Sequence, residues 1–296
     1  FIISELKNLI IKFQYIDSIK QKKIDFVDDL TWVIESEIFF KSGRIIKFAN
    51  KNNIKINEKS IIFIRYFLYS LESINYLESR GRDSLGISIN LVSNTLLNIK
   101  KTKIKNNKNI NIFKNTINKN KYFTNITIKY AKRIGYSGDN TRKILKLIST
   151  KKLFSKLDFS NLISTDLIAH TRWASVGDVN LSNTHPLIEK KNNLINLSFM
   201  NGDINNYNLL KKQLINEKKF ILSDKKCTND LQPISSLILY KYKKINDILN
   251  GSYVLINFNS QNFNKIDIYK KGSQGIYYTL DSDDNFHVAS DVYGLI

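Results

Sequence analysis

Cysteine, proline and histidine are all scarce in this chain. Its 296 residues include one cysteine, two prolines and three histidines. The single cysteine, Cys227, excludes both an intramolecular disulfide framework and a zinc site built on cysteines. His170, His185 and His287 are too scattered to form a metal-binding motif, so we expect no metal site. With so few prolines there is also no proline-rich linker to mark a domain boundary.

Long hydrophobic runs are also missing. The longest, Ile61 to Ile64, is interrupted by Arg65 and falls short of the about 20 residues that a membrane helix needs. The N-terminal apolar stretch is broken by Glu5 and Lys7, unlike a signal peptide. We therefore expect no membrane association and a cytoplasmic location. Phe1 is not an initiator residue, so we expect the numbering to begin inside a longer gene product.

Acidic residues are few relative to basic ones. The chain has 46 Lys and Arg against 26 Asp and Glu, a net charge of +20. Such an excess raises the question of nucleic-acid binding. Most of it is lysine, spread through the chain beside abundant isoleucine and asparagine, as an AT-rich coding bias would produce. A basic nucleic-acid-binding protein therefore stays an alternative, and our expectation is no nucleic-acid partner.

Apolar periodicity predicts a mixed fold. The hydrophobic fraction of 42% is typical of a globular protein. Apolar spacing predicts helices over residues 25–39, 61–77, 142–153, 206–216 and 231–244. Short apolar runs bounded by Gly, Asn, Ser and Asp predict strands over residues 87–92, 167–169, 194–199, 253–258, 265–269, 275–278 and 285–289. Many strands with helices grouped between them favour an α+β fold with helix-covered sheets.

The Lys/Asn-rich stretch of residues 100–121 has only sparse apolar side chains. Its composition predicts a long surface loop or a partly disordered insertion.

Two segments combine Gly, Asp and Arg beside predicted strands. Arg80 to Gly86 (RGRDSLG) is explained either by a helix C-cap and turn or by a functional role. The second segment, His170 to Gly177 (HTRWASVG), follows a strand, where rigid scaffolds offer functional side chains. Arg172 could bind a carboxylate through two parallel hydrogen bonds, and Trp173 could close over a ligand. The alternative is an exposed arginine beside a packing tryptophan.

Two further segments carry polar groups at the ends of predicted elements. Asn201-Gly202 is first a hairpin-turn signal, but a predicted helix follows it, so the pair could instead donate hydrogen bonds to an oxyanion. Asp230 opens a predicted helix, where it is either an N-cap or a partner for a substrate ammonium group.

Together these segments resemble one family, the class II glutamine amidotransferases, which carry an N-terminal nucleophile. Arg80 to Gly86 resembles the family's RGYDSAG, and His170 to Gly177 resembles its HTRWATHG. The resemblance continues in Asn183 to Pro186 (NAHP) and Met200 to Gly202 (HNG). Gly251 to Tyr253, Lys271 to Ser273 and Asn285 to Asp291 are similar to the GAY, RKGSPL and ENFIASD segments of the phosphosugar branch, the glucosamine-6-phosphate synthase type. The similarity covers about residues 74–98 and 130–296.

The resemblance implies a role for each matching residue. Arg172 and Ser175 would hold the α-carboxylate of L-glutamine, Asp230 its α-amino group, and Trp173 would gate the site. Asn201 and Gly202 would stabilise the tetrahedral oxyanion. Arg80 is carried over as a further binding residue. His185 lies near the site in the family, and we assign it a structural role there.

Three departures from the family are visible. The nucleophile would be an N-terminal cysteine whose α-amine acts as base, and no cysteine opens this chain. Cys227 cannot replace it, because it lacks a free α-amine. Val176 and Met200 stand where the family usually has histidine. We expect Met-Cys-Gly to precede Phe1, with Phe1 to Ile3 continuing a first strand.

The resemblance also implies an architecture. We expect one glutaminase domain over residues 1–296, folded as a four-layer α/β/β/α sandwich of the N-terminal-nucleophile hydrolases. Residues 7–60 would be a helical insertion and residues 100–130 a Lys/Asn-rich insertion.

The expected reaction is hydrolysis of glutamine, without a cofactor. The ammonia would pass to a sugar-phosphate isomerase domain that follows residue 296 in the same polypeptide, to make glucosamine 6-phosphate from fructose 6-phosphate. A degenerate domain with a binding or regulatory role is the alternative, and a homodimer stays open.

Overall fold

A computed structural model describes residues 18–99, 107–132, 135–220, 224–240, 242 and 244–295, with side chains from residue 25 onward. Groups of helices and groups of antiparallel strands follow one another along the chain. The helices are α1 (Ser18–Trp32), a π-helical segment (Val33–Phe40), α2 (Lys41–Asn52), α3 (Glu58–Leu77), α4 (Asp139–Lys151), α5 (Tyr207–Asn216), α6 (Gln232–Leu239) and α7 (Ile245–Ile248). The strands are β1 (Ser84–Ser93), β2 (Ile110–Asn118), β3 (Lys121–Ala131), β4 (Leu162–Arg172), β5 (Leu187–Lys191), β6 (Leu194–Ile204), β7 (Gly251–Asn259), β8 (Ile266–Lys271), β9 (Tyr277–Leu280) and β10 (Phe286–Ala289).

The strands form two four-stranded sheets and one two-stranded ribbon. The first sheet has the order β2-β3-β1-β4, and the second has the order β5-β6-β7-β8. All of their neighbouring strands are antiparallel. Within the described part of the chain, the strands β9 and β10 pair only with each other. Successive side chains of a strand point to opposite faces, so each four-stranded sheet has two faces to cover.

Three apolar cores define the layers. The first lies between the first sheet and helices α2, α3 and α4, and includes Phe67 and Ile87. The second lies between the second sheet and helices α5 and α6, and includes Leu255. The third joins the two sheets, because it contains Phe123 of β3 and Phe258 of β7, whose rings stack at 5.5 Å. The order is helix, sheet, sheet, helix, which confirms the predicted α+β sandwich.

Helix α3 comes just before the segment Arg80 to Gly86 in the chain. It begins at a capping box, in which Asn57 and Ser60 each bind the backbone N–H of the other at 2.8 Å. Its apolar face, which includes Phe67, is buried in the first core. A 3-10 turn over Glu78–Arg80 follows the helix, and β1 begins four residues later. The segment Arg80 to Gly86 is therefore held in place by both a buried helix and a central strand.

Most of the predicted elements are present, often with longer bounds. The predicted strand 167–169 is part of the 11-residue strand β4, and the predicted strand 194–199 extends to Ile204 in β6. The predicted helix 231–244 is wrong in its second half, because α6 ends at Leu239 and a separate turn follows at α7. Strand β5 is a structural feature that sequence periodicity did not predict.

The surface-loop prediction for residues 100–121 is wrong where the structure describes them. Residues 110–118 form the edge strand β2, and residues 121–131 form β3, which lies between β2 and β1. The physical reason is alternation: Ile110 and Ile112 pack on the helix side of the sheet, whereas Phe113 and Ile117 pack toward the second sheet. Residues 100–106 lie outside the described residues. Whether residues 100–130 are an insertion relative to the family stays a prediction.

The proposed helical insertion, residues 7–60, is helical over most of its described part, from α1 through α2 to the start of α3. Its status as an insertion stays a prediction. Residues 7–17, and the strand expected at Phe1 to Ile3, lie outside the described residues. Among the helices described here, none combines the length and apolarity needed to cross a membrane.

Candidate active site

The candidate site begins where the start of β1 lies beside the end of β4. Ser84 of β1 is in register with Arg172, the last residue of β4. The Asp83 N–H donates to the Arg172 carbonyl at 3.0 Å, and the Thr171 hydroxyl donates to the Gly81 carbonyl. The Asp83 carboxylate accepts a 2.9 Å hydrogen bond from the Ala174 N–H. The segment from Gly81 to Asp83 therefore holds the loop after β4 in place. This segment does more than end the preceding helix.

Arg172 is buried at the base of this loop, with 5% of its surface exposed. Its guanidinium donates to the Val176 carbonyl and, at 3.5 Å, to the Asp178 carbonyl. Burial lowers the pKa of the Arg172 guanidinium, and Asp230 is the strongest of the carboxylates that oppose this effect. A guanidinium has five N–H donors, so these two bonds leave donors for a carboxylate. The alternative of an exposed arginine is wrong.

The loop after β4 also contacts the second sheet. The Ser175 hydroxyl donates to the Asp203 carboxylate at 2.6 Å, and Asp203 lies at the end of β6. Trp173, two residues earlier, is 69% exposed. A tryptophan that packs into a core would be covered, so the packing explanation for Trp173 is also wrong.

Asp230 is buried near Arg172. One of its carboxylate oxygens accepts a 2.9 Å hydrogen bond from the Ile204 N–H at the end of β6. It does not cap the following helix, because α6 begins at Gln232 without a side-chain cap. Burial raises the pKa of the Asp230 carboxyl, while the Ile204 hydrogen bond and the charge of Arg172 lower it. The structure thus brings these two opposite charges close enough to act on each other.

Asn201 and Gly202 lie in β6 itself. They pair with Val254 and Tyr253 of β7, so the hairpin-turn interpretation is wrong. The backbone at Gly202 has a φ of +107°, and a Cβ there would overlap the Ser252 carbonyl oxygen. Only glycine satisfies both conditions. The Asn201 amide donates to the Gln274 side-chain carbonyl at 3.2 Å.

His185 is a buried residue that contacts the strand containing Asn201 and Gly202. It is 2% exposed, and its Nδ1 accepts a 3.2 Å hydrogen bond from the Met200 N–H, one residue before Asn201. Its ring lies 4.5 Å from that of His170. Burial lowers the pKa of His170 to about 4 and holds the pKa of His185 well below its ordinary value. Both rings are therefore neutral near pH 7, as a positioning role requires.

The side chain of Arg80 contacts the C-terminal segment. Arg80 donates to the Ser290 carbonyl at 2.8 Å and pairs with the Asp291 carboxylate at 3.4 Å, both in the C-terminal segment. Cys227 is buried, and burial raises the pKa of its thiol, which makes it a poor nucleophile.

Sequence reasoning gave no role to Asp83, Asp203 or Gln274, each of which contacts a predicted site residue. The signal was present for two of them, because Asp83 lies inside the first motif and Asp203 directly follows Gly202.

Comparison with known proteins finds relatives of one enzyme type. No family profile matches the chain. Glutamine–fructose-6-phosphate aminotransferase (isomerizing) from Buchnera aphidicola subsp. Baizongia pistaciae is 28% identical over 200 residues, which is 60% of this chain and 31% of that protein. The protein of the same name from Encephalitozoon cuniculi is 34% identical over 141 residues, 41% of this chain and 20% of that protein. A third, from Francisella tularensis, is 27% identical over 204 residues, 60% of this chain and 31% of its own length.

This chain is a relative of the class II glutamine amidotransferases. The similarity is to the glutamine–fructose-6-phosphate aminotransferase type, and the chain spans about a third or less of the length of the curated relatives it matches. Among solved structures, glutamine phosphoribosylpyrophosphate amidotransferase from B. subtilis, complexed with ADP and GMP, aligns with 77% of this chain and 39% of that chain. The TM-score of that alignment is 0.44 at 16% identity, which is too low to carry an argument.

Proposed function

We propose that this amidotransferase domain binds L-glutamine and hydrolyses its side-chain amide to glutamate and ammonia. The observation that carries the proposal is the pair of buried, opposite charges, Arg172 and Asp230, with Asp230 hydrogen-bonded to the strand that contains Asn201 and Gly202. A buried charge is costly unless something compensates it. An α-amino acid carries one charge of each sign on neighbouring atoms and would compensate both.

Recognition of glutamine follows from the chemistry of these side chains. The unused N–H groups of Arg172 would bind the α-carboxylate. The Ser175 hydroxyl would turn from Asp203 to donate a further hydrogen bond to it. The Asp230 carboxylate would accept from the α-ammonium group, and the exposed Trp173 would close over the ligand. His185 would position the strand that carries Asn201 through its bond to Met200. Arg80 stays a predicted binding residue, but its contacts with Ser290 and Asp291 do not support that role.

The chemical step needs a nucleophile and a site for the oxyanion. The Asn201 amide and the Gly202 N–H would donate to the negative oxygen of the tetrahedral intermediate. The proposed nucleophile is an N-terminal cysteine of the complete gene product, whose α-amine has an ordinary pKa of about 7.7–8 and can accept the thiol proton. The thiolate would displace ammonia to form a thioester, and water would then release glutamate. Cys227 is buried and is not proposed for this step.

The full protein would use the ammonia to convert fructose 6-phosphate to glucosamine 6-phosphate. This part of the proposal rests on the names of the relatives, and on a sugar-phosphate isomerase domain expected in the same polypeptide.

Calorimetric titration of this chain with L-glutamine tests recognition without needing the nucleophile. Arg172→Lys keeps the charge but loses the planar fork, so affinity should fall by about tenfold to a hundredfold. Asp230→Asn should have a similar effect. Arg142→Lys is the matched control, because Arg142 lies on the surface of α4 and bonds Asp139 at 2.6 Å. Absence of glutamine binding by the unaltered chain, or binding that ignores both site substitutions, would refute the proposal.

One observation favours the degenerate alternative. Met200 replaces the usual histidine of the HNG segment, and its side chain is buried in the second apolar core. Such a domain would bind glutamine without hydrolysing it. Ammonia release by the complete gene product separates the two functions.

A further inference from the structure

The turn after β8 is fastened directly to the strand that supports Gly202. The Ser273 N–H donates to the Ser252 hydroxyl at 3.0 Å, and the two hydroxyls lie 3.3 Å apart. Ser252 lies on β7, opposite Asp203 of β6. Its carbonyl oxygen is the atom that leaves no space for a side chain at Gly202. Ser252 therefore fixes the turn of residues 272–274 relative to the end of β6.

This turn brings Gln274 to Asn201. The Gln274 side-chain oxygen accepts a 3.2 Å hydrogen bond from the Asn201 Nδ2, and both residues are half-buried. In the family segment RKGSPL the position of Gln274 is occupied by proline, which has no side-chain acceptor. The contact thus comes from a residue in which this chain departs from the family pattern.

We propose that Gln274 is a positioning residue that orients the Asn201 carboxamide for the oxyanion. This inference rests on the proposed function. A carboxamide nitrogen has two N–H groups, so one can bind Gln274 while the other is directed at the substrate. Rotation of the amide by half a turn would present the Asn201 oxygen to the negative oxyanion, which is repulsive. With Gln274 oriented as it is here, that rotation would bring two carbonyl oxygens together, so it requires the Gln274 amide to turn as well.

The contribution of Gln274 is expected in the chemical step. The oxyanion develops after glutamine has bound, so an oriented donor raises kcat and leaves KM nearly unchanged. Gln274→Met keeps the length of the side chain and removes the acceptor. We expect kcat for ammonia release to fall by about twofold to tenfold, the usual range for one uncharged hydrogen bond.

A double-mutant cycle on the complete gene product tests this inference. If Gln274 acts through Asn201, Gln274→Met should have no further effect once Asn201→Ala is present. Gln213→Met is the matched control, because Gln213 lies on α5 and bonds Glu217 at 2.9 Å; it should leave kcat unchanged.

The outcomes are distinct. If Asn201→Ala slows turnover but Gln274→Met alone does not, the positioning role is refuted and the proposed function stands. An equal loss from Gln274→Met with and without Asn201, or a loss confined to KM, would also refute positioning. A gene product that releases no ammonia from glutamine would overturn both.

Discussion

Acid should destabilise this fold through two neighbouring histidines, the buried His185 and the half-buried His170. His170 and His185 lie with their rings 4.5 Å apart, and burial lowers the pKa of both, to about 4 for His170. An unfolded histidine has a pKa of about 6.5, so below that pH the unfolded chain binds protons that the folded chain refuses. The free energy of unfolding therefore falls as pH decreases below about 6.5.

The size of this decrease in the free energy of unfolding follows from the protonation of the histidines in the unfolded chain. Each pH unit below the unfolded pKa costs about 1.4 kcal/mol per histidine until the folded ring also protonates. At about pH 5 the buried His185 should cost about 2 kcal/mol and the half-buried His170 less, so the pair should cost about 2–4 kcal/mol. Globular domains are stable by only about 5–15 kcal/mol, so this loss is large.

Urea unfolding followed by circular dichroism, at about pH 7.5 and about pH 5, measures the effect. His185→Gln should reduce the acid-induced loss by about 2 kcal/mol relative to the unaltered chain. Asn183→Ala is the control, because Asn183 is equally buried in the same segment but does not titrate. It should lower stability by the same amount at both pH values. If His185→Gln keeps the whole acid-induced loss, the assignment of that loss to the histidine pair is wrong.

Three further outcomes are expected. Because burial raises the pKa of Asp230, glutamine affinity should decline on acidification at a higher pH than for an ordinary aspartate, and titration calorimetry of Asp230→Asn should show no such decline. Gly202→Ala should abolish glutaminase turnover and lower the urea midpoint, because its Cβ would overlap the Ser252 carbonyl at a positive φ. Gly86→Ala should lower the melting temperature, since its Cβ would overlap the His185 carbonyl, whereas Gly43→Ala, in open space on α2, should stabilise the chain by about 0.5–1 kcal/mol.

Predictions from the sequence succeeded where local patterns and tertiary packing agree. The apolar face of α3 is a helical repeat that is also buried, and β4 was predicted from its apolar centre. Strands β2 and β3 were missed because composition was given more weight than alternation. Asn125 in β3 is fully buried, yet its amide is satisfied by Ser88 at 2.7 Å and by Asn90 at 2.8 Å. Hydrogen bonds to another strand allow polar residues in a core, and no local pattern reports them.

The same reasoning applies to the site. Arg172 and Asp230 could be singled out because charged residues stand beside strand and helix boundaries. Their contacts could not be predicted, because the carbonyls bound to Arg172 and the Ile204 N–H bound to Asp230 depend on how a loop and a second sheet meet. The contacts of Arg80 could not be predicted for a similar reason, since its partners lie about two hundred residues away in sequence.

The space between the two sheets changes in character along β1. On the face toward the second sheet, Val92 belongs to the apolar core, Asn90 is hydrogen-bonded to β3, and Gly86 has no side chain at all. At Gly86 the sheet and the segment ending in His185 approach so closely that a methyl group would not fit. Several residues of the family motifs are therefore explained by packing alone. Trp173 is not, because it is 69% exposed and gains nothing from the core. We propose that this exposed side chain, next in sequence to the buried Arg172, covers the bound ligand.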